Sequence, residues 1–198
     1  MGQEVADRIT PCTAQEMLDA LAAAWPAVVG SLCTNTDSVR LLCAQWAMET
    51  GWGKACHCNN IGNAKAVVGG SYDWCFFATD EIINGRLVKF NPPNPGCCFR
   101  AFATLREGVV DHLHLLTRQS NFASAWPFVL AGDAAGFCRA LKIGGYYTAD
   151  EGQYTRAVVS IFGDLHKLTP VTPSKNDCVA AELTYRDLLL IVGDAEDL

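Results

Sequence analysis

The chain has 198 residues, of which half are apolar and 18% are charged, and its formal net charge is −6. This is the composition of one compact globular domain, and the acidic balance argues against broad nucleic-acid binding and against an anionic membrane surface. No apolar run is long enough for a membrane span, and the opening MGQEVADRITPC has no secretory signal-peptide pattern.

The first two predicted helices are marked by their N-terminal signals. Thr13 and Glu16 have the spacing of a capping box, which predicts a helix from Thr13 to Val29. Asp37 can act as the N-cap of a second helix, along which apolar residues recur at helical spacing. These residues are Val39, Leu42, Cys43 and Trp46. The second helix ends in the turn Thr50-Gly51-Trp52-Gly53, whose glycines let the chain change direction sharply.

Turn-rich sequence with one hairpin follows. A loop rich in Gly and Asn is predicted over residues 56–70, and a strand over residues 74–80. Asn84-Gly85 is a strong hairpin signal, so residues 86–90 are expected to form the returning strand. Residues 91–96 contain three prolines and are expected to form a loop.

The remainder up to residue 168 is predicted to be helical. Thr104 and Glu107 form a second capping box, Asp133 can cap a helix that ends at Gly144-Gly145, and residues 153–168 form a last core helix. The apolar faces of these helices are formed by Leu105, Val109, Leu113, Leu116, Phe122, Trp126, Val129, Leu130, Tyr154, Val158, Ile161 and Leu165.

The chain is expected to divide after residue 168. Residues 1–168 would form the domain, and residues 169–198 a linker with two prolines, a short helix over 177–191 and an acidic tail. Helices before and after one hairpin predict a mainly α (α+β) fold, in which two helical lobes and the hairpin flank a cleft.

Glu49 is the residue of the second helix with the clearest chemical potential. It lies three residues after Trp46 and seven after Leu42, so it points to the side of the apolar stripe. A carboxylate held against an indole at a helix end is partly desolvated, which raises its pKa and suits it to donate a proton near neutral pH. From spacing alone, a glutamate that simply faces water is the favoured alternative.

Four sequence elements in order resemble the lysozyme-like glucosaminidases, glycoside hydrolase family 73 and its relatives. They are Glu49-Thr50-Gly51-Trp52-Gly53 with Asn59-Asn60-Ile61-Gly62, Thr79-Asp80-Glu81 with Asn84-Gly85, Phe99-Arg100-Ala101-Phe102, and Gly145-Tyr146-Tyr147-Thr148 with Tyr154. The resemblance covers roughly residues 38–166 and implies a lysozyme-like fold with Glu49 as the general acid. The spacing from Tyr147 to Tyr154 is longer than in the family's usual tyrosine pair.

The resemblance also implies a second carboxylate on the hairpin. Glu81 matches the family's hairpin glutamate, which would act as a base or stabilise an intermediate formed by the sugar's own 2-acetamido group. Asp80 is its neighbour, and neighbours on a strand point to opposite faces. Only one of the two can therefore face the cleft, and we expect that residue to be Glu81.

Four further residues are candidate sugar contacts: Trp52, Asn60, Tyr146 and Tyr147. Aromatic faces stack on pyranose rings, and amide groups bind hydroxyl and N-acetyl groups. Trp52 fits core packing equally well, and Asn60 fits a turn residue that holds its loop by its own hydrogen bonds. Of the two tyrosines, Tyr147 is favoured. Arg100 is expected to order the hairpin against the helices.

The ten cysteines are expected to be buried thiols in a reducing compartment, or partly disulfides outside it. Cys75 flanks the predicted hairpin together with Cys97 and Cys98, which makes a bridge to either one sterically feasible. A zinc site would use Cys56, His57, Cys58, Cys97 and Cys98. Its spacing is poor, so neither a metal nor a cofactor is expected. The four histidines form no catalytic pattern.

The family resemblance implies a bacteriolytic, antimicrobial hydrolase of the peptidoglycan glycan strand, and within that class it favours an endo-β-N-acetylglucosaminidase. A muramidase or lytic transglycosylase on the same fold and a non-catalytic cell-wall-binding protein remain alternatives. Without a signal-peptide pattern, the chain is expected to be made in the cytoplasm and to reach the wall as an endolysin released by lysis, on a phage virion, or through a secretion machine.

Overall fold

The computed structural model describes residues 1–83, 86–90 and 94–170, with residues 81–83, 87 and 95 described by their backbone alone. The predicted turn at Asn84-Gly85 and the predicted short helix and acidic tail lie outside the described residues. The helices are α1 (Ala14–Val29), α2 (Thr36–Thr50), α3 (Leu105–Arg118), α4 (Trp126–Ala131), α5 (Ala134–Ile143) and α6 (Glu151–Leu165). The strands are β1 (Trp74–Phe76), β2 (Thr79–Ile83), β3 (Arg86–Phe90) and β4 (Cys98–Arg100).

Both predicted capping boxes are confirmed. The Thr13 hydroxyl accepts from the Glu16 N–H at 3.2 Å, and the Glu16 carboxylate accepts from the Thr13 N–H at 2.7 Å. Thr104 and Glu107 make the same reciprocal pair at the start of α3. These bonds satisfy backbone donors that an uncapped helix would leave unpaired.

Two helix starts differ from the prediction. The N-cap of α2 is Asn35 and not Asp37, since the Asn35 side-chain oxygen accepts from the Asp37 N–H at 3.1 Å. Helix α6 begins at Glu151 because Asp150 accepts from the Gln153 N–H at 2.8 Å. In both cases a short polar side chain just upstream of the predicted start acts as the cap.

The strand predicted over residues 74–80 is two strands with different partners. β1 pairs antiparallel with β4, with Cys75 opposite Phe99, and β2 pairs with β3, with Asp80 opposite Lys89. Between the two strands, Phe77 turns into a buried cluster. The β2–β3 hairpin agrees with the prediction, whereas the β1–β4 pair was not foreseen.

Two apolar clusters hold these elements in place. The larger one collects residues from all six helices, and Trp46 and Phe137 are among its largest fully buried side chains. The smaller one, here called the β cluster, consists of Cys58, Cys75, Cys97, Phe77, Phe99 and Ala101. Among the described residues, no helix is long and apolar enough to cross a membrane.

Candidate active site

A cleft of about 620 Å³ lies between the helical core and the β cluster. One side is formed by the end of α2, the end of α3, residues 145–149 and the first turn of α6. The other side is formed by residues 62–65 together with parts of β2 and β4. Each of the four sequence elements that carry the family resemblance contributes residues to this lining.

Glu49 lies in the last turn of α2, half-buried, and lines the cleft. The helix ends at Gly51, which has a left-handed φ of 56°. Gly53 has a φ of 80°, and a Cβ there would come within 2.7 Å of the Cys12 carbonyl oxygen. The turn therefore needs a glycine at position 53 to place the end of α2 against the N-terminal segment.

Tyr154 is the partner of Glu49 that the sequence analysis missed. Its hydroxyl donates to Glu49 Oε1 at 2.8 Å, and its side chain is only 4% exposed. Burial, followed by the charge of Glu49, raises the pKa of Tyr154 well above its ordinary value. Tyr154 therefore stays protonated and keeps donating. A buried tyrosine on a helix face needs a hydroxyl partner, which is the signal that could have identified it.

The two tyrosines of the 145–148 element take different positions in the cleft wall. The Tyr146 hydroxyl donates to the Gly62 carbonyl at 2.7 Å, which ties the Asn-rich loop to this segment. The Tyr147 ring stacks on Tyr154 at a centroid distance of 3.8 Å, and its hydroxyl donates to the Cys138 carbonyl at 3.0 Å. Both line the cleft.

Asn60 has the geometry of a loop-holding residue. Its side-chain nitrogen donates to the Ala64 and Arg100 carbonyls, its oxygen accepts from the Ala64 N–H, and it is 2% exposed. A direct sugar contact, the other role considered for it, would require these bonds to break. The expectation of such a contact is therefore corrected.

Asn63 is the asparagine of this loop whose side-chain oxygen has no hydrogen-bond partner among the described residues. Its Nδ2 donates to the Glu49 carbonyl at 3.1 Å, and it lines the cleft. Its Oδ1 is buried. It adopts a left-handed φ of 50°, a conformation in which asparagine is common, and sequence reasoning did not single it out.

Trp52 is not a core residue. Its side chain is 43% exposed and its φ is 61°, directly after the helix end at Gly51. Among the described residues, the lining of the cleft does not include it. Its indole is accessible from solvent beside the turn that follows Glu49.

The hairpin brings Asp80 to the cleft. Asp80 is exposed and lines the cleft together with Thr79, and it stands opposite Lys89 in the ladder. Glu81 follows in β2 opposite Val88. Its side chain lies outside the described part of the chain, so its orientation stays a prediction.

Arg100 was expected to order the hairpin against the helices, but it lies on β4, outside the β2–β3 hairpin, and orders that strand instead. Its guanidinium contacts both carboxylate oxygens of Asp111, at 2.8 and 2.9 Å, and joins β4 to α3. The same guanidinium lies 4.1 Å above the Tyr72 ring. Burial raises the pKa of Asp111, and Arg100 opposes this rise by stabilising the charged form.

The cysteines do not assemble as the zinc alternative supposed. His57 Nδ1 lies 2.7 Å from Asp7, and its ring stacks on Phe77. The described residues that bring potential ligand atoms within 4.8 Å of one another are instead Asp7, Cys58 and Cys75.

Comparison with known proteins agrees with this geometry. Residues 34–167 match the family model described as glucosaminidase, mannosyl-glycoprotein endo-β-N-acetylglucosaminidase. The chain belongs to the glucosaminidase family. It is therefore a glycoside hydrolase, as the ordered elements around Glu49 predicted. A search of curated proteins gives no match.

Solved structures with this fold include a peptidoglycan hydrolase and a glycoside hydrolase domain. A peptidoglycan hydrolase mutant from Sphingomonas sp. A1 has a TM-score of 0.55 at 24% identity, covering 76% of this chain and 99% of that one. The C-terminally truncated glycoside hydrolase domain of Salmonella typhimurium FlgJ has a TM-score of 0.50 at 24% identity, covering 79% and 99%. These similarities support the lysozyme-like glucosaminidase fold.

Proposed function

We propose that this glucosaminidase cleaves the glycan strand of peptidoglycan, with Glu49 as the general acid. The observation that carries the proposal is the position of Glu49 in the cleft, where the Tyr154 hydroxyl donates to its carboxylate at 2.8 Å. The peptidoglycan hydrolase from Sphingomonas sp. A1 has the same fold, which supports this choice of substrate.

In the proposed reaction, protonated Glu49 gives its proton to the glycosidic oxygen as the bond to the sugar's anomeric carbon breaks. The carboxylate that remains keeps its hydrogen bond from Tyr154. A hydrogen bond to an ionised acceptor is stronger than one to a neutral acceptor, so this donor favours the state formed by proton transfer.

Glu81 is proposed as the second carboxylate, either as the base or as the group that orients the 2-acetamido substituent. The support is its match to the family's hairpin glutamate and its place in β2, which borders the cleft. Asp80 is the competing residue, since it lines the cleft itself.

The sugar rings are proposed to lie along Tyr146, Tyr147 and the exposed indole of Trp52. Asn63 lines the cleft, and its buried Oδ1 has no hydrogen-bond partner among the described residues, so a small side-chain movement that exposes this atom would let it accept the N–H of an N-acetyl group. An amide bound in this way would distinguish N-acetylated sugars from plain hexoses.

Digestion of purified peptidoglycan tests the bond that is cut. Borohydride reduction and mass spectrometry should show fragments ending in reduced N-acetylglucosamine. Reduced N-acetylmuramic acid would indicate a muramidase, and a 1,6-anhydro end would indicate a lytic transglycosylase. A high-mannose glycoprotein in parallel tests the substrate in the family's description, and we expect no release of its glycan.

Glu49→Gln tests the general acid. The amide has nearly the same shape but cannot donate the proton, so peptidoglycan cleavage should fall by roughly 10²–10⁴-fold. An unchanged circular dichroism spectrum and melting temperature would show that the fold is intact. Wild-type cleavage by a folded variant would exclude Glu49 as the acid, and tight binding without cleavage by the wild type would favour the non-catalytic alternative.

The protein is proposed to act outside the cytoplasm, where peptidoglycan lies. Delivery by lysis, by a virion or by a secretion machine stays a prediction. Locating the protein in virions, in culture supernatant and in cell fractions of the producing culture would distinguish the three routes.

A further inference from the structure

The cysteines are the part of the sequence that glycosidase chemistry leaves unused. Cys58 and Cys75 belong to different elements, yet their sulfurs lie within 4.8 Å of each other. Both side chains are buried, with exposures of 1% and 0%. The Cys58 thiol also donates to the Ala6 carbonyl at 3.6 Å. This is a dithiol that the fold, and not the local sequence, has brought together.

The surroundings disfavour a charged thiolate at Cys75. Burial, followed by the nearby Cys58, Asp7 and Cys98, raises the pKa of Cys75. The pair also belongs to the apolar β cluster, beside Phe77 and Phe99. A disulfide carries no charge and does not ionise, so it suits this cluster better than two weakly acidic thiols.

The two cysteines hold opposite ends of a long irregular segment. Residues 59–73 contain no helix or strand, and Val67 within them is 77% exposed. At one end, the Cys58 N–H donates to the Arg8 carbonyl and its own carbonyl accepts from the Phe102 N–H. At the other end, Cys75 pairs with Phe99. Residues 62–65 of this segment line the cleft.

We propose that Cys58 and Cys75 form a disulfide that closes this segment and fixes residues 62–65 against β4 in the wall of the cleft. The bond would form outside the cytoplasm, where the proposed substrate lies and where disulfides persist. Its stabilising effect follows from the reduced freedom of the unfolded chain, which grows with the length of the closed loop.

The oxidation proceeds by thiol–disulfide exchange with an external disulfide, either a small molecule such as oxidised glutathione or the disulfide of a thiol oxidase. During folding, before Cys58 is buried, its thiolate attacks one external sulfur, forming a mixed disulfide and releasing one thiol. Cys75 loses its proton to solvent and attacks the Cys58 sulfur, which releases the second thiol. The protein dithiol gives up two electrons and two protons, and the external disulfide becomes two thiols.

The sheet register argues against the bridge from Cys75 to Cys98 that the sequence suggested. Cys75 stands directly opposite Phe99, so these two side chains share one face of the β1–β4 ladder. Cys98 is the neighbour of Phe99 on β4 and points to the other face. A bond to Cys98 would have to cross the ladder.

Peptide mapping tests the pairing directly. The full chain is refolded with oxidised glutathione, alkylated, digested without reduction and analysed by mass spectrometry. We expect a linked peptide containing Cys58 and Cys75. The oxidised protein should melt roughly 5–10 °C higher than the reduced protein. Cys58→Ala and Cys75→Ala should each abolish this redox-dependent difference, whereas Cys33→Ala, a half-buried cysteine near α2, should retain it.

Three results would overturn the proposal. They are a linked peptide that joins Cys75 to Cys97 or Cys98, alkylation of both Cys58 and Cys75 after oxidation, and one equivalent of zinc bound by the reduced pair with Asp7. Peptide mapping of the wild-type chain detects the first two results, and zinc titration of the reduced wild-type chain detects the third, even if an alanine variant fails to fold. None of these measurements depends on sugar cleavage. A failure of the disulfide proposal can therefore be distinguished from a failure of the proposed substrate.

Discussion

At the scale of single residues, Glu49 depends on a partner 105 positions away in the sequence. Tyr154 holds one carboxylate oxygen, and the Asn63 amide holds the main-chain carbonyl of the same residue. The carboxylate is thus fixed by contacts from α6 and from the Asn-rich loop together. A proton donor held in this way is already oriented toward the cleft before a sugar binds.

Tyr154→Phe should lower cleavage by roughly 10- to 150-fold while preserving the fold, since a hydrogen bond to a charged group is worth about 1.5–3 kcal/mol. The ring still packs against Tyr147, but the ionised form of Glu49 loses its donor. The alkaline limb of the pH–rate profile should therefore move to higher pH.

Tyr147→Phe is the matched control for this change, because it also removes one hydrogen-bonded tyrosine hydroxyl from the same stack. That hydroxyl bonds to a main-chain carbonyl, so the pH–rate profile should keep its position. Identical profiles for Tyr154→Phe and the wild type would contradict a role of Tyr154 in supporting Glu49.

The hairpin carboxylates give a second prediction at this scale. Glu81→Gln should reduce cleavage more than Asp80→Asn, because the resemblance assigns the second carboxylate to Glu81. Steady-state rates on solubilised glycan strands measure both. A larger loss in Asp80→Asn would transfer the role to Asp80, whose side chain lines the cleft.

At the scale of elements, the end of α2 decides where the acid sits. Gly51 ends the helix in open space, with no atom within 4 Å of a Cβ built at that position. Gly53, two residues later, would place a Cβ 2.7 Å from the Cys12 carbonyl and 2.9 Å from the Trp46 ring. Gly51 is therefore favoured by its left-handed backbone alone, whereas Gly53 is needed both for its left-handed backbone and because a side chain would not fit.

Gly53→Ala should lower the free energy of unfolding by roughly 2–5 kcal/mol, since it adds an overpacking cost to the left-handed backbone cost. Gly51→Ala, which has only the conformational cost, should lose about 1–2 kcal/mol. Urea unfolding measures both. Equal losses would show that the contact with Cys12 does not constrain this turn.

At the scale of the whole molecule, α2 and α3 are joined through a buried polar pair beneath the cleft. His112 Nε2 lies 3.0 Å from Gln45 Oε1, and both side chains are buried. Burial lowers the pKa of His112 to about 4. The same ring stands under Gly62, where a Cβ would come within 2.5 Å of Nδ1.

This pair predicts a loss of stability on acidification. Unfolded His112 titrates near its ordinary value of about 6.5, and the folded residue at about 4. Between these values the unfolded state binds more protons, so the free energy of unfolding falls as the pH drops from about 6.5 to about 4. The contribution of His112 is on the order of 3 kcal/mol.

Urea unfolding at pH 7.5 and at pH 4.5 measures this effect as the difference in the free energy of unfolding between the two pH values. From pH 7.5 to pH 4.5, the free energy of unfolding should fall less for His112→Gln than for the wild type, whatever the absolute stability of the variant. His166→Gln is the control, because His166 is exposed at the end of α6. If the His112 variant kept the full wild-type drop, the titration would lie elsewhere in the chain.

The sequence by itself determined the features whose causes lie within a few residues. Thr13 with Glu16 and Thr104 with Glu107 fix their helix starts, since a cap and its partner are three positions apart. The glycines after Glu49 end α2 for the same local reason. The ordered elements around these signals were enough to predict the family and the position of Glu49 at the cleft.

Only the tertiary structure decided which residues meet across the fold. The bond from Tyr154 to Glu49, the β1–β4 pair and the Cys58–Cys75 dithiol each join segments that no periodic pattern connects. Asn60 and Asn63 have the same side chain in the same loop. The Asn60 amide is fully engaged in backbone hydrogen bonds, whereas Asn63 Oδ1 has no partner in the described part of the chain. Their roles depend on which carbonyls and amides packing brings within hydrogen-bond distance, and that is set by the whole chain at once.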